Sequence, residues 1–250
     1  MRILISNDDG INAPGFAVLE RIAQSLSDDV WVAAPEAEQS GAGHSLTLHR
    51  PLRVRHIDDR HMAIDGTPTD CVLLALNNLI PGKRPDLVLS GVNRGSNLAD
   101  DVTYSGTIAA AMEATILGVP SISLSQHYED GDRIRWQTVE AHACGLIRRL
   151  VAIGWPENVL LNLDFPDVEP DDVSGVEACC QGKYKNGDAL IERLDPRGRP
   201  YYWIGEMRNT EQKTHGTDAE AVERGAISVT PLCLDLTDGA TLAKLADALK

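Results

Sequence analysis

Apolar and polar positions along this chain fall into blocks whose period keeps changing, and the changes read as strands and helices in alternation. Ile3-Leu-Ile-Ser6 is a short apolar run, followed at once by Asn7-Asp8-Asp9-Gly10. A run of that length bounded by turn residues predicts a buried strand. Phe16, Leu19, Ile22, Ala23 and Leu26 then recur at the spacing of one helical face, with Pro14-Gly15 at its start. Val30-Trp-Val-Ala-Ala34, closed by Pro35, predicts a second buried strand. Strand, helix and strand in such close succession form a βαβ unit with parallel strands.

Pro35 to Ser45 is a polar loop leaving the end of that second strand. Ser45–His49 and Leu52–His56 alternate apolar and polar residues, so with His61–Ile64 they predict a small antiparallel excursion. Gly66-Thr-Pro-Thr-Asp70 predicts a helix start with Thr67 as N-cap, Pro68 at the first helical position and Asp70 three residues past the cap, the helix running to about Asn78. Pro85–Ser90 predicts a core strand, and a second polar loop runs from Ser90 to Ser105. Gly106–Leu117 predicts a helix capped by Ser105, Val119–Ser125 a buried strand and Arg133–Ile153 another helix. Asn158–Leu163 is expected to be the last strand of the main sheet.

Past Pro166 glycine, proline and charge become frequent, which divides the chain into a core over 1–166 and a C-terminal extension over 167–250. Arg197–Ile204 predicts a hairpin arm carrying exposed aromatics, Ile227–Val229 a short strand and Ala240–Leu249 a terminal amphipathic helix. This tail cannot build its own core, so it is expected to pack on the domain or on a neighbouring subunit.

Charge narrows the function. With 23 basic and 37 acidic residues the net charge is -14, which argues against binding long nucleic acid. A small phosphorylated ligand is compatible with that charge if a metal supplies a positive centre. The five cysteines show no C-x-x-C spacing and their number is odd, the pattern of reduced thiols. The apolar start is too short for a signal-peptide core and no apolar run approaches a membrane span, so the expectation is a cytoplasmic protein that does not bind membrane.

Candidate chemistry lies where loops leave strand ends, the place where open α/β sheets bind ligands. Asp8 and Asp9 follow the first strand and repel each other unless a cation lies between them; a turn-stabilising role is the plain alternative for Asn-Asp-Asp-Gly. Carboxylate oxygens favour a hard cation such as Mg²⁺ or Mn²⁺. Ser40, Asn93 and Asn97 are ordinary loop residues taken singly. Their loops leave the sheet on the same side as the acids, where a hydroxyl and an amide oxygen would complete a metal shell. Ser105-Gly106-Thr107 is either a plain helix cap or an anion site built from backbone N–H groups and the helix dipole. His44, in the Ser40 loop, is a candidate for substrate contact or for loop packing. Neither a P-loop nor a G-x-G-x-x-G after the first strand is present. His49, His56 and His61 read as surface groups, Asp100 and Asp101 as solvated or capping acids, and Tyr201, Tyr202 and Trp203 as an oligomer contact.

In order along the chain, Ser6-Asn-Asp-Asp-Gly10, Ala34-Pro35 with Ser40-Gly41, Gly66-Thr-Pro-Thr-Asp70, Ser90-Gly-Val-Asn-Arg-Gly-Ser-Asn97 and Tyr104-Ser-Gly-Thr107 resemble the SurE survival-protein family of metal-dependent nucleotidases and phosphatases. Asp195-Pro-Arg-Gly198, Tyr202-Trp-Ile-Gly205, Gly216-Thr-Asp218 and Ile227–Pro231 carry the resemblance over nearly the whole chain. It implies a Rossmann-like, mostly parallel sheet flanked by helices, with the extension used in oligomerisation as a homodimer or homotetramer with exchanged C-terminal elements. It also implies one divalent cation per subunit on Asp8, Asp9, Ser40 and Asn93, and a phosphate surrounded by Asn97, Ser105, Gly106 and Thr107. By the same resemblance, His44 falls at a loop position where other members can carry Asn. The activity implied is hydrolysis of nucleoside 5′- and 3′-monophosphates, and in some members of short polyphosphate, with Asp8 and Asp9 as catalytic residues. Two alternatives stand beside it. One is an aspartyl-phosphate enzyme of the haloacid-dehalogenase kind, whose second acid falls where this chain has Gly10. The other is a non-catalytic nucleotide sensor.

Overall fold

Ile3, Leu4 and Ile5 have no exposed surface, because β1 (Arg2–Ser6) runs in the middle of a sheet with a parallel partner on each side. Those partners are β2 (Asp29–Pro35) and β5 (Leu87–Arg94). The computed structural model describes residues 1–129, 133–183, 185–209 and 215–250. On the β5 side the sheet continues through β6 (Ser121–Gln126) and β7 (Val159–Phe165), both parallel. On the β2 side come β4 (His61–Ile64), parallel to β2, and β3 (Val54–His56), antiparallel to β4 at the edge.

The alternation within β1 decides the layers. Ile3 and Ile5 point to one face, where Phe16, Leu19 and Ile22 of α1 (Pro14–Leu26) and Val139, Ala143 and Ile147 of α4 (Trp136–Ile153) cover them. Leu4 points to the other face, among Cys71 and Val72 of α2 (Pro68–Leu74) and Ala110 and Ala114 of α3 (Gly106–Ile116). Each such buried aliphatic side chain contributes about 1.5–3 kcal/mol relative to exposure. The result is a mostly parallel α/β sheet with helices on both faces, as the alternating pattern predicts. Thr67 caps α2 in a full capping box with Asp70, and the helix ends in a π-helical turn over Ala75–Leu79.

Three expectations need correction. Ser45–His49 forms no strand: Leu46 and Leu48 are exposed, and the Thr47 N–H donates to Asp70 at the start of α2 rather than to a ladder. The antiparallel excursion shrinks to β3 against β4, which is itself part of the main sheet. Asn158–Leu163, which became β7, does not end the sheet. β11 (Ala226–Cys233) pairs antiparallel to it and β8 (Gly175–Ala178) lies parallel to β11. Ile227 and Val229 of β11 are buried in the same core as α1 and α4, so the extension supplies part of that core.

Two parts of the extension, an arm and the last helix, lie outside the main sheet. β9 (Lys185–Leu194) and β10 (Pro200–Asn209) form a separate two-stranded antiparallel sheet, longer than the arm expected over Arg197–Ile204. Tyr202, Trp203 and Ile204 are exposed along it. The short α5 (Asp218–Glu223) precedes β11, and α6 (Gly239–Ala248), capped by Asp238, buries no residue.

Candidate functional site

Three loops and one helix start meet beyond the end of β1. Hydrogen bonds stitch them together. The Gln39 N–H donates to the Asp8 carbonyl at 2.8 Å, fixing the Ser40 loop on the acidic turn. The Arg94 N–H donates to the Asp9 carboxylate at 3.2 Å, bringing in the loop after β5. The Gly43 N–H donates to the Tyr104 carbonyl at 3.1 Å, tying the Ser40 loop to the segment before α3. The acidic turn itself is held by Asn7, whose amide donates to the Gly10 carbonyl at 2.9 Å.

α3 comes down directly on Asp8. A Cβ on Gly106 would lie 2.7 Å from the Asp8 Cβ, so glycine is required for this approach. The Thr107 hydroxyl donates to the buried Asp8 carboxylate, and the Gly106 and Thr107 amides favour its charge as well. Asn93 reaches the same place because β5 shifts register against β6 between Ser90 and Asn93, at Gly91 with φ +132°. Its side-chain oxygen lies 3.4 Å from the Thr107 hydroxyl, and its amide nitrogen donates to the Gly95 carbonyl.

The cleft between these loops has a volume of about 560 Å³ and is lined by Asp8, Asp9, Ser40, Asn93, Asn97 and Ser105 among others. Six of the nine candidate residues therefore share one cavity. Gly106 and Thr107 stand immediately behind it, against Asp8. Ser40 is exposed, its hydroxyl donating to Glu38 at 2.9 Å. Ser105 is the α3 cap, accepting from the Ile108 N–H at 3.1 Å. His44 lies outside the cleft lining, its Nε2 2.9 Å from the buried Glu113 carboxylate on α3, which ties the Ser40 loop to that helix.

Asn97 is anchored from beneath by a buried polar network. Its N–H donates to Asp164 at 2.8 Å, its carbonyl accepts from Asn162 at 2.8 Å, and its side-chain amide gives one hydrogen to Ser125 at 2.8 Å. The amide carries a second hydrogen, and Asn97 lines the cleft. Asn162 in turn donates to Asp164 and accepts from the Ser123 hydroxyl. Asn162 sits inside the apolar run that became β7 and Asp164 directly after it, polar breaks that mark both from the sequence alone. Glu38, Arg94, Ser96, Tyr104 and Tyr128 also line the cleft and were not among the candidates. Arg94 and Ser96 belong to a loop already singled out, whereas nothing local marks Tyr128.

Burial raises the Asp8 carboxyl above its ordinary range in spite of the Thr107 bond. Burial, and then repulsion from Asp8, push Asp9 up to about 6. Two carboxylates disfavoured in their charged forms and facing one cleft are what a shared divalent cation would stabilise. The donor chemistry fits a hard cation: two carboxylates and the neutral oxygens of Asn93 and Ser40. Among the described residues no group of three or more His, Cys, Asp or Glu is arranged to hold a metal. Mg²⁺, held by one or two carboxylates with waters, does not require one. Among the described residues no helix is long and apolar enough to cross a membrane.

Several known proteins are similar to this chain in sequence and fold. The family model described as Survival protein SurE matches residues 3–188. A protein named 5'-nucleotidase SurE from Paramagnetospirillum magneticum is 64% identical over 237 residues, which span 95% of this chain and 91% of the relative. One of the same name from Brucella canis is 58% identical over 252 residues, covering 100% of this chain and 98% of the relative. The solved SurE protein from Aquifex aeolicus matches the fold with a TM-score of 0.86 at 37% identity, over 100% of both chains. This chain belongs to the SurE survival-protein family.

Proposed function

We propose that the protein is a divalent-metal-dependent phosphomonoesterase that hydrolyses nucleoside 5′- and 3′-monophosphates, and short polyphosphate, releasing phosphate. One observation carries the reading: Asp8 and Asp9 share a single cleft with Asn93, Asn97 and the start of α3, so groups suited to a cation adjoin groups suited to an anion. Relatives named 5'-nucleotidase SurE, at 64% and 58% identity, support nucleotidase chemistry.

In this reading Asp8, Asp9, Ser40 and Asn93 hold one Mg²⁺ or Mn²⁺. When bound, such a cation polarises a phosphoryl group and acidifies water. Thr107 keeps the Asp8 carboxylate in one orientation, and Asp9 orients the attacking water. Asn97 and Ser105 donate to the phosphoryl oxygens, and the Gly106-Thr107 end of α3 favours negative charge there. Water adds to phosphorus, the ester bond breaks, and the nucleoside leaves with its oxygen protonated.

The same reading has the β9–β10 arm and α6 exchanged between copies in a homodimer or homotetramer. Support comes from exposed Trp203, Ile204, Leu242 and Leu245 on elements that contribute little to their own chain's core. It also places the enzyme in the cytoplasm, where its five free thiols remain reduced. Phosphate release from AMP with Mn²⁺, set against a metal-free control, tests the activity. Binding of AMP with no release of phosphate would make the protein a sensor and overturn the reading.

A further inference from the structure

The cleft has an imbalance of charge that the ligand assignments above do not resolve. Asp8, Asp9, Glu38 and Asp101 line it, and among the described lining residues the one basic side chain is Arg94. A cation shared by Asp8 and Asp9 offsets those two acids but not Glu38 or Asp101. The Gly106 and Thr107 amides at the start of α3, which favour charge on the phosphoryl group, also act on the Asp8 carboxylate. A phosphate dianion entering this cleft therefore has few positive partners.

Arg94 is placed to be one. Its backbone N–H holds the Asp9 carboxylate, so the residue is fixed beside the acidic turn. Its guanidinium lies over the Tyr128 ring, 5.5 Å from the centroid, and forms no ion pair with a described residue. Tyr128 lines the same cleft, and its ring packs against the Arg94 loop near Gly95. Stacking on an aromatic face positions a guanidinium while leaving its in-plane N–H donors unspent, the arrangement suited to planar recognition of phosphate oxygens.

We propose that Arg94 is a ligand of the substrate's phosphoryl oxygens and that Tyr128 is the positioning residue that holds it ready. The inference rests on the phosphomonoesterase reading. Arg94 is exposed, so its replacement leaves the fold intact. Arg94→Gln should raise KM for AMP and for ribose 5-phosphate alike, roughly ten- to a hundredfold. Inhibition by inorganic phosphate should weaken by a similar factor, while Mn²⁺ affinity measured by calorimetry stays at the wild-type value. Tyr128→Ala should lose part of the same phosphate affinity, and Tyr128→Phe, which keeps the ring, should recover most of it. Unchanged phosphate inhibition in Arg94→Gln would overturn the assignment. So would a KM increase for AMP without one for ribose 5-phosphate, since the guanidinium would then read the base. If wild-type protein releases no phosphate from AMP, the functional reading fails; calorimetric binding of inorganic phosphate to wild type and Arg94→Gln still decides the role of Arg94.

Discussion

Thr107 donates its hydroxyl to Asp8, a residue 99 positions earlier, and the bond joins the first turn of α3 to the end of β1. It fixes the carboxylate that leads the candidate site, and it does so inside the protein, where a hydrogen bond to a charged group counts most. Thr107→Val keeps the shape and removes the donor. Stability should fall by about 1.5–3 kcal/mol in urea unfolding, and AMP turnover should fall more than tenfold. Turnover within twofold of wild type would mean that Asp8 is positioned by other contacts.

Gly106 makes that approach sterically possible. Gly106→Ala places a methyl carbon 2.7 Å from the Asp8 Cβ, so either α3 or the acidic turn must shift. The expected cost is about 1–3 kcal/mol of stability. Activity should drop further than stability alone explains, because Asp8 would no longer converge with Asn93. Metal titration by calorimetry should show the same loss.

Asp164 supplies a pH test of the support beneath Asn97. Burial pushes its carboxyl up to about 8, against an ordinary value of 3.8 and in spite of the Asn97 N–H that it accepts. The folded protein then retains a proton there that the unfolded chain has released. The stability this proton confers is complete below the ordinary value and is lost as pH rises toward and through 8. Asp164→Asn has no such proton to lose. The stability of wild type relative to Asp164→Asn should therefore decline steadily from pH 5 to pH 8 and level off above. A difference that stays flat across that range would show that Asp164 is ionised in the fold.

Most of the fold was legible because its signals are local and repeated. Ile3–Ile5 and the Phe16, Leu19, Ile22 spacing specify buried strand and one-sided helix without reference to distant residues. Ser45–His49 misled because alternation alone carries no information about a partner, and Asp70 captured the Thr47 N–H that a strand would have spent on a ladder. β11 was underestimated because three residues, Ile227–Val229, gave no hint that they would extend the sheet past β7 from the far end of the chain. At the site, Asp8, Asp9, Asn93 and Asn97 stood out through loop position and chemistry. His44 lies in the Ser40 loop but pairs with Glu113, a contact set by packing on α3 that sequence spacing does not encode. Tyr128 and the Asp164–Asn162 pair act through contacts with residues 30 or more positions away, which only the folded chain brings together.

The account turns on whether Asp8 is a metal ligand at the reacting centre. The direct measurement is Mn²⁺ binding by calorimetry together with AMP turnover, in wild type and in Asp8→Asn, each checked for unchanged circular dichroism. The account predicts one tight Mn²⁺ per chain and metal-dependent turnover in wild type, and at least a hundredfold loss of both in the variant. Wild-type metal affinity and turnover in Asp8→Asn would contradict it.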